Sequence, residues 1–142
     1  MKKYMNLALK EARKAFKHKE IPIGAVIVKN GKVIAKAHNK REGSKISTAH
    51  AEIIAINKAC RKLKNWRLND CELYVTVEPC MMCCGAIIQS RISTVFFGTE
   101  NENYGYSHVL EKNGVKVINN ICKDECKSII QDFFIKKRNQ NL

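Results

Sequence analysis

The spacing of apolar residues predicts a helix at the start of the chain and a β-hairpin directly after it. One face of the predicted helix is apolar and is formed by Met5, Ala8, Leu9, Ala12 and Phe16. The chain then passes through Pro22 into two short apolar runs, which flank the dipeptide Asn30-Gly31. Asn-Gly between apolar runs is a strong short-range hairpin signal, so we expect two antiparallel strands here.

The middle of the chain predicts a helix followed by a parallel βαβ unit. Apolar residues at helical spacing run from about Thr48 to Lys62, after a polar loop over residues 39–47. The run 73–77 is short and rich in β-branched residues, as in a buried strand. Pro79 stands at a plausible first helical position, and a second apolar run follows at 94–97. Strand, helix and strand in this order predict two parallel strands joined by a helix.

The last third of the chain predicts an edge strand and a final helix. Residues 115–117 alternate between apolar and polar, as expected for a half-exposed edge strand, and a helical pattern begins near Ile121. Together the elements predict one α/β domain over residues 1–142, in which helices cover both faces of a five-stranded mixed sheet.

The chain carries far more basic than acidic side chains, mostly near its ends. Lys and Arg number 26 and Asp and Glu number 13, which gives a net charge of +13. Residues 1–45 hold 13 of the cations and 3 of the acids, and residues 127–142 are also basic. Such a surface favours polyanionic partners, yet 20 of the cations are Lys, as AT-biased coding would produce. The charge alone therefore identifies no nucleic-acid partner.

The cysteines favour reduced thiols and a metal site over a disulfide framework. The chain has seven of them, an odd number, and four lie between Cys71 and Cys84. No apolar stretch approaches the roughly 20 residues needed to cross a bilayer. The residues after Met1 form an amphipathic pattern rather than a signal peptide. We therefore expect a cytoplasmic protein that does not enter a membrane.

Two short motifs each begin a predicted helix and together contain metal ligands. They are His50-Ala51-Glu52 and Pro79-Cys80-Met81-Met82-Cys83. Two thiols three residues apart at a helix N-terminus lie about one turn apart and can bind one metal ion, with His50 as a third ligand. Three such ligands suit zinc and are typical of a catalytic site, in which the fourth position is open to water.

Glu52 is expected beside the metal as a proton carrier rather than as a ligand. Residues two apart on a regular helix point in different directions, so we expect His50 at the cap or in the first turn. The spacing leaves two alternatives open. Cys84 lies four residues after Cys80 and could bind in place of Cys83. The Cys-x-x-Cys pair could also belong to a structural zinc site that has a fourth ligand.

The His-x-Glu and Pro-Cys-x-x-Cys motifs together form the signature of zinc-dependent nucleobase deaminases. The chain resembles the bacterial tRNA-specific adenosine deaminase family over nearly its whole length to about Gly98, and again in the last helix. The resemblance implies a three-layer α/β/α cytidine-deaminase-like fold, one zinc ion, and hydrolytic deamination of adenosine to inosine at the wobble position of tRNA. It also implies a homodimer that acts on an arginine tRNA. The segments that carry the resemblance are 21–26, 48–52, 66–68, 73–83, 85–87, 90–92 and 132–134.

The resemblance also implies roles for residues around the metal. His50, Cys80 and Cys83 would hold the zinc ion, and Glu52 would move protons. Asn39 would hydrogen-bond the edge of the base, and the wall of the substrate pocket would include Ile23 and Ala51. Without the resemblance, an Asn at a strand end is more simply explained by hydrogen bonds to the loop backbone.

The last helix would contact the tRNA through aromatic and basic side chains. The residues in the matching positions are Phe133, Phe134, Lys136, Lys137 and Arg138. The alternative explanation is an apolar helix face followed by a solvated basic tail, since cationic ends bring mostly unspecific affinity for nucleic acid.

The loop from Thr99 to Ser107 departs from the family pattern. It is shorter than usual, and Asn101 stands where the family usually has an acidic residue. Because that region shapes the nucleic-acid groove, the departure bears on the substrate and leaves the zinc chemistry unchanged. Two smaller departures are Ile46-Ser47 in place of Asp-Pro, and Cys84 in place of Ala.

Two other functions are consistent with the zinc motifs. A free-base or nucleoside deaminase that acts on guanine or cytosine would use the same site, and the short loop permits it. A non-enzymatic, zinc-stabilised RNA-binding protein would keep the metal ligands but would have no need of Glu52. Residues 90–92 and the basic ends favour the tRNA deaminase.

Overall fold

The structure is a computed structural model, and it describes residues 1–140. Within this range the strands are β1 (Gly24–Lys29), β2 (Lys32–His38), β3 (Cys71–Val77), β4 (Thr94–Thr99) and β5 (Lys116–Ile118). The helices are α1 (Lys2–Lys17), α2 (Arg41–Ser44), α3 (Ala51–Leu63), α4 (Met81–Gln89), α5 (His108–Lys112) and α6 (Lys123–Gln140). None of these helices has the length and apolar character that crossing a membrane requires.

The strands form one mixed sheet in the order β2-β1-β3-β4-β5. Strand β1 is antiparallel to β2 and to β3, whereas β4 is parallel to β3 and to β5. Helix α4 joins β3 to β4 and completes the predicted parallel βαβ unit. The five-stranded mixed sheet predicted from the sequence is therefore confirmed, with β5 at its edge.

The turn between β1 and β2 has the geometry that its sequence signals. Asn30 and Gly31 have φ angles of 50° and 75°. Two successive positive φ values are typical of a type I′ turn, which matches the twist of a two-residue hairpin. Asn and Gly adopt this conformation at the lowest cost, so the turn fixes where the two strands pair.

Alternate residues of the central strands face two separate cores. On one face Val26, Tyr74 and Phe96 pack with α1 and α6, and the rings of Tyr74 and Phe96 stack with centroids 4.3 Å apart. On the other face Ile27 and Leu73 pack with α3, α4 and α5. Helices therefore cover both faces of the sheet, which confirms the predicted three-layer arrangement.

Helix α1 lies against β1 at a position that admits only glycine. A Cβ atom on Gly24 would fall on the carbonyl group of Ala8 and within 2.7 Å of the backbone nitrogen of Ala12. The absence of a side chain thus lets the helix backbone approach the strand closely.

Two helices begin later than the sequence predicts. Helix α3 begins at Ala51 rather than near Thr48, and His50 is its N-cap in an extended conformation. Helix α4 begins at Met81, so that Cys80 is its N-cap and Pro79 lies before the helix. A cap residue with an extended backbone marks the point at which the chain enters the helix. The spacing of apolar residues does not show where that point lies.

The predicted polar loop over residues 39–47 contains the short helix α2. The carboxylate of Glu20 accepts hydrogen bonds from the backbone N–H groups of Glu42 (3.0 Å) and Gly43 (2.6 Å). These are first-turn donors that have no partner within a helix. The acceptor lies more than 20 residues earlier in the chain, so local sequence gives no sign of it.

Candidate active site

Two helix N-termini meet at the carboxyl end of β3. His50 is the N-cap of α3 and Cys80 is the N-cap of α4, and both have extended backbones. Cys83 lies in the first turn of α4 and is fully buried. The structure therefore brings together the three residues that the sequence predicts as metal ligands, with His50 at the cap as expected.

The three candidate ligand atoms have the spacing of a zinc site. The Nδ1 atom of His50 lies 3.7 Å from the Sγ atom of Cys80 and 3.6 Å from that of Cys83. All three atoms lie within 4.8 Å of one another. Tetrahedral zinc, with bonds of about 2.3 Å to sulfur and about 2.0 Å to nitrogen, holds such atoms about 3.6 Å apart. One nitrogen and two sulfurs at this spacing fit zinc and leave a fourth position for a water or substrate atom.

Cys84 faces away from this group. Its thiol donates a hydrogen bond to the carbonyl oxygen of Pro79 at 3.7 Å, and its side chain lies in the core between α4 and the sheet. Burial raises the pKa of Cys84 to about 12. Of the two cysteines that spacing alone left open, the geometry favours Cys83 as the ligand.

The charges of the three candidate ligands depend on one another. Hydrogen bonds from the Cys83 thiol and from His50 lower the pKa of Cys80 to about 3. The hydrogen bond to Cys80, together with burial, raises the pKa of Cys83. The hydrogen bond with Cys80 also raises the pKa of His50, although burial acts in the opposite direction. A metal ion requires both sulfurs as thiolates, so its binding would displace the Cys83 proton.

Glu52 lies in the first turn of α3, outside the group of ligand atoms but in contact with it. Its side chain is 4% exposed and interacts with Cys83. Burial raises the pKa of Glu52 to about 7. A carboxyl group with this pKa can both accept and donate a proton near neutral pH, as a proton carrier must.

The residues predicted to bind the base lie on segments next to this group. Asn39 is buried; its side-chain oxygen accepts a hydrogen bond from the N–H of Arg41 (3.3 Å), and its amide nitrogen donates to the carbonyl of Ile21 (3.4 Å). Ile23 is half-buried against the sheet, and Ala51 is fully buried in α3. The amide of Asn39 thus makes the loop contacts that its position at a strand end suggests, and its role toward a base stays a prediction.

The predicted RNA-binding residues of α6 have unequal exposure. Phe133 is 9% exposed and packs edge-on against Phe16, with ring centroids 5.8 Å apart. Phe134 is 40% exposed, and Lys136 lies over the ring of Phe16 at 5.6 Å. Lys137 and Arg138 are exposed. In this chain Phe133 therefore packs in the interior while the other four side chains are more exposed, and the roles of all five toward RNA stay predictions.

Sequence analysis missed Glu78, which lies two residues before Cys80. Its carboxylate accepts hydrogen bonds from the backbone N–H groups of Asn101 and Ser107. These residues lie at the two ends of the loop that departs from the family pattern. The only sequence signal was the acidic residue directly before the Pro-Cys motif, and nothing local indicates that its partners are more than 20 residues away.

Comparison with known proteins decides the family. The model of the MafB19-like deaminase family matches residues 1–138. The tRNA-specific adenosine deaminase of Bacillus subtilis (strain 168) is 43% identical over 143 residues, which cover 95% of this chain and 89% of that protein. The chain belongs to the tRNA-specific adenosine deaminase family. The family resemblance inferred from the motifs is thereby confirmed.

Solved structures of this deaminase family's relatives agree with the fold. A structure from work on A-to-I editing by tRNA:A34 deaminases at the wobble position has a TM-score of 0.87 and 37% identity, and the match covers 91% of this chain and 99% of that one. The predicted cytidine-deaminase-like fold is confirmed. A guanine deaminase of Bacillus subtilis matches with a TM-score of 0.68 and 38% identity, over 77% of this chain and 73% of the other. The tRNA deaminase structure is thus similar over more of the chain.

Proposed function

We propose that this protein is a zinc-dependent enzyme that hydrolyses adenosine to inosine and ammonia at the wobble position of tRNA. The observation that carries the proposal is the group formed by His50, Cys80 and Cys83, with the buried carboxyl group of Glu52 in contact with it. A structural zinc site would need a fourth protein ligand and would have no use for that carboxyl group. Membership of the tRNA-specific adenosine deaminase family supports the same conclusion.

The residues of the site divide the chemistry between them. His50, Cys80 and Cys83 would hold the zinc ion, which supplies a Lewis acid that lets water ionise near neutral pH. Glu52 accepts the proton that the attacking water loses and delivers it to the ring nitrogen beside carbon 6 of adenine. It then takes the proton of the hydroxyl group now bonded to carbon 6 and transfers it to the amino group. The bond between carbon 6 and that nitrogen breaks, ammonia leaves, and carbon 6 becomes the carbonyl carbon of inosine.

The substrate would be held by residues on both sides of the metal. Asn39 would turn its amide toward the base edge, beside Ile23 and Ala51 in the pocket wall. Phe134, Lys136, Lys137 and Arg138 of α6 would contact the RNA, and the basic N-terminal region would add phosphate contacts. Activity should therefore fall as salt concentration rises.

Four finer features belong to the same proposal. The tRNA would be an arginine tRNA, and the enzyme would act as a homodimer whose protomers are each one domain over residues 1–142. A cytoplasmic location fits a substrate that is tRNA and a site that needs reduced thiols.

The decisive experiment offers the purified, zinc-loaded protein three substrates in parallel. These are an anticodon stem-loop with adenosine at its first position, free guanine, and cytidine. We expect inosine in the stem-loop and ammonia in equal amount, with no comparable ammonia from guanine or cytidine. Release of ammonia from guanine alone would instead support a free-base deaminase, which the similarity to the guanine deaminase structure makes the main competitor. Stem-loop binding without any turnover would support a non-enzymatic RNA-binding protein.

A further inference from the structure

The carboxylate of Glu78 holds both ends of a loop that lies beside the metal ligands. Oε1 accepts a hydrogen bond from the N–H of Asn101 at 3.2 Å. Oε2 accepts one from the N–H of Ser107 at 3.1 Å and another from its hydroxyl at 2.5 Å. Hydrogen bonds to an ionised carboxylate are stronger than those between neutral groups, and here three of them converge on one side chain. We call residues 100–107 the 100–107 loop.

Gly105 lets the middle of the 100–107 loop pack against the same carboxylate. A Cβ atom at position 105 would collide with Oε1 of Glu78 and would lie 2.6 Å from its Cδ atom. It would also lie 2.7 Å from the carbonyl oxygen of Asn101. The φ angle of Gly105 is not positive, so space rather than backbone conformation requires glycine here. The loop therefore wraps around the Glu78 side chain.

The 100–107 loop is also joined to the segment that carries the metal ligands. The N–H of Tyr106 donates to the carbonyl oxygen of Pro79 at 3.0 Å, and the N–H of Glu78 donates to that of Thr99 at 2.8 Å. Pro79 directly precedes Cys80, so the loop borders the candidate active site. At its tip the loop exposes 73% of Tyr104 to solvent. An exposed aromatic ring at the edge of the site is suited to stack on an unpaired base.

We propose that Glu78 is a positioning residue for RNA binding. Its carboxylate fixes the 100–107 loop in the shape that contacts the nucleotides around the target adenosine, and so sets affinity for RNA rather than the rate of deamination. A loop that is already ordered loses less conformational entropy when the substrate binds. The inference rests on the proposed tRNA deamination, and it assigns to that reaction a residue outside the zinc and proton-carrying groups.

The first test is Glu78→Gln, which keeps the shape of the side chain. The NH2 group of the glutamine is a donor and would face backbone N–H groups of the loop, which need an acceptor. The loop therefore loses at least one of its hydrogen bonds to residue 78. We expect KM for the anticodon stem-loop to rise about tenfold, while kcat stays within about twofold. Zinc content should not change, and amide hydrogen exchange should accelerate at Asn101 and Ser107. The matched control is Glu72→Gln, which removes the same charge from another half-buried glutamate at the opposite end of β3.

The second test approaches the same contact from the loop. Gly105→Ala should raise KM in the same way, because the new methyl group displaces the carboxylate. The control Gly85→Ala adds a methyl group on α4 where nothing lies within 4 Å. Glu78→Ala removes the carboxylate and so makes room for that methyl group. Gly105→Ala should therefore raise KM less in a Glu78→Ala background than in the wild type.

The outcomes separate this inference from the proposed function. If the wild-type protein deaminates the stem-loop but neither Glu78→Gln nor Gly105→Ala raises KM, Glu78 does not position the loop for RNA. Loss of zinc or of folding in both variants would likewise overturn the inference, since the contact would then be structural. If only Glu78→Gln fails to fold, the KM of Gly105→Ala decides. A wild-type protein without activity on the stem-loop would overturn the proposed function, and this inference with it.

Discussion

The Nδ1 atom of His50 lies 3.6 Å from the Sγ atom of Cys83, although 33 residues separate them in sequence. Neither helix could form this contact alone, because α3 packs on β1 and β2 while α4 connects β3 to β4. Because β1 is antiparallel to both β2 and β3, those two strands run in the same direction, and the helices that follow them begin at the same end of the sheet. A metal ion bound there would therefore also link two parts of the fold.

The two neighbouring cysteines should respond differently to substitution. Cys83→Ala removes a candidate ligand, so we expect the zinc content to fall from one ion per chain to near zero. Cys84→Ala should keep the zinc and lose about 1 kcal/mol of stability, because it removes only a buried thiol. Metal analysis of the purified variants and their denaturant midpoints check both expectations. Retention of zinc by Cys83→Ala with loss in Cys84→Ala would transfer the ligand role to Cys84.

Glu52→Gln should separate catalysis from metal binding. The amide fits the space of the carboxyl group but cannot carry a proton, so turnover of the stem-loop should fall about a thousandfold. Zinc content and RNA affinity should stay near wild type, because Glu52 lies outside the ligand group. Single-turnover assays with matched zinc analysis test this. Activity within tenfold of wild type would exclude Glu52 as the proton carrier.

The parts of the fold that sequence analysis predicted are those with local causes. The apolar face from Met5 to Ala12 and the Asn30-Gly31 turn each depend on residues close in sequence, and the structure has both elements. The candidate ligands could also be named from spacing, because a helix N-terminus brings Cys80 and Cys83 within one turn.

What sequence analysis missed depends on contacts between distant segments. Glu20 and Glu78 each accept backbone hydrogen bonds from a loop more than 20 residues away, and these contacts determine the shape of residues 41–44 and of the 100–107 loop. Periodicity also could not separate Cys83 from Cys84, since both are compatible with the helical spacing. Only the packing of α4 on the sheet shows which of the two thiols is directed into the core.

The pairing of Glu11 predicts how stability depends on pH. Burial tends to raise the pKa of Glu11, but hydrogen bonds with Lys14 (2.7 Å) and His38 (3.2 Å) outweigh it and lower the pKa from 4.5. A carboxyl group with a depressed pKa in the folded state stabilises the fold above its unfolded pKa. That contribution is lost as pH falls below 4.5 through the folded value.

Glu11→Gln should therefore lower the free energy of unfolding at neutral pH. It should also flatten the acid limb, which is the low-pH part of the curve of unfolding free energy against pH. Denaturant unfolding at a series of pH values from about 7 to about 3 measures both effects. The control Glu102→Gln removes an exposed acid and should leave the acid limb unchanged. An unchanged acid limb in Glu11→Gln would show that this pairing contributes nothing to the pH dependence.

The two adjacent phenylalanines of α6 should have different roles, Phe133 in stability and Phe134 in RNA binding. Phe133 is buried against Phe16, so Phe133→Ala should cost about 3 kcal/mol of folding free energy. Phe134 is 40% exposed, and Phe134→Ala should change stability by only about 0.5 kcal/mol. If its ring stacks on a base, the same change should weaken binding of the anticodon stem-loop about tenfold. Unfolding curves and fluorescence-anisotropy titrations of both variants give the two quantities. Equal RNA affinity in wild type and Phe134→Ala would show that the ring does not stack on a base. Only the basic side chains of α6 would then contact the RNA, and binding should depend on salt concentration.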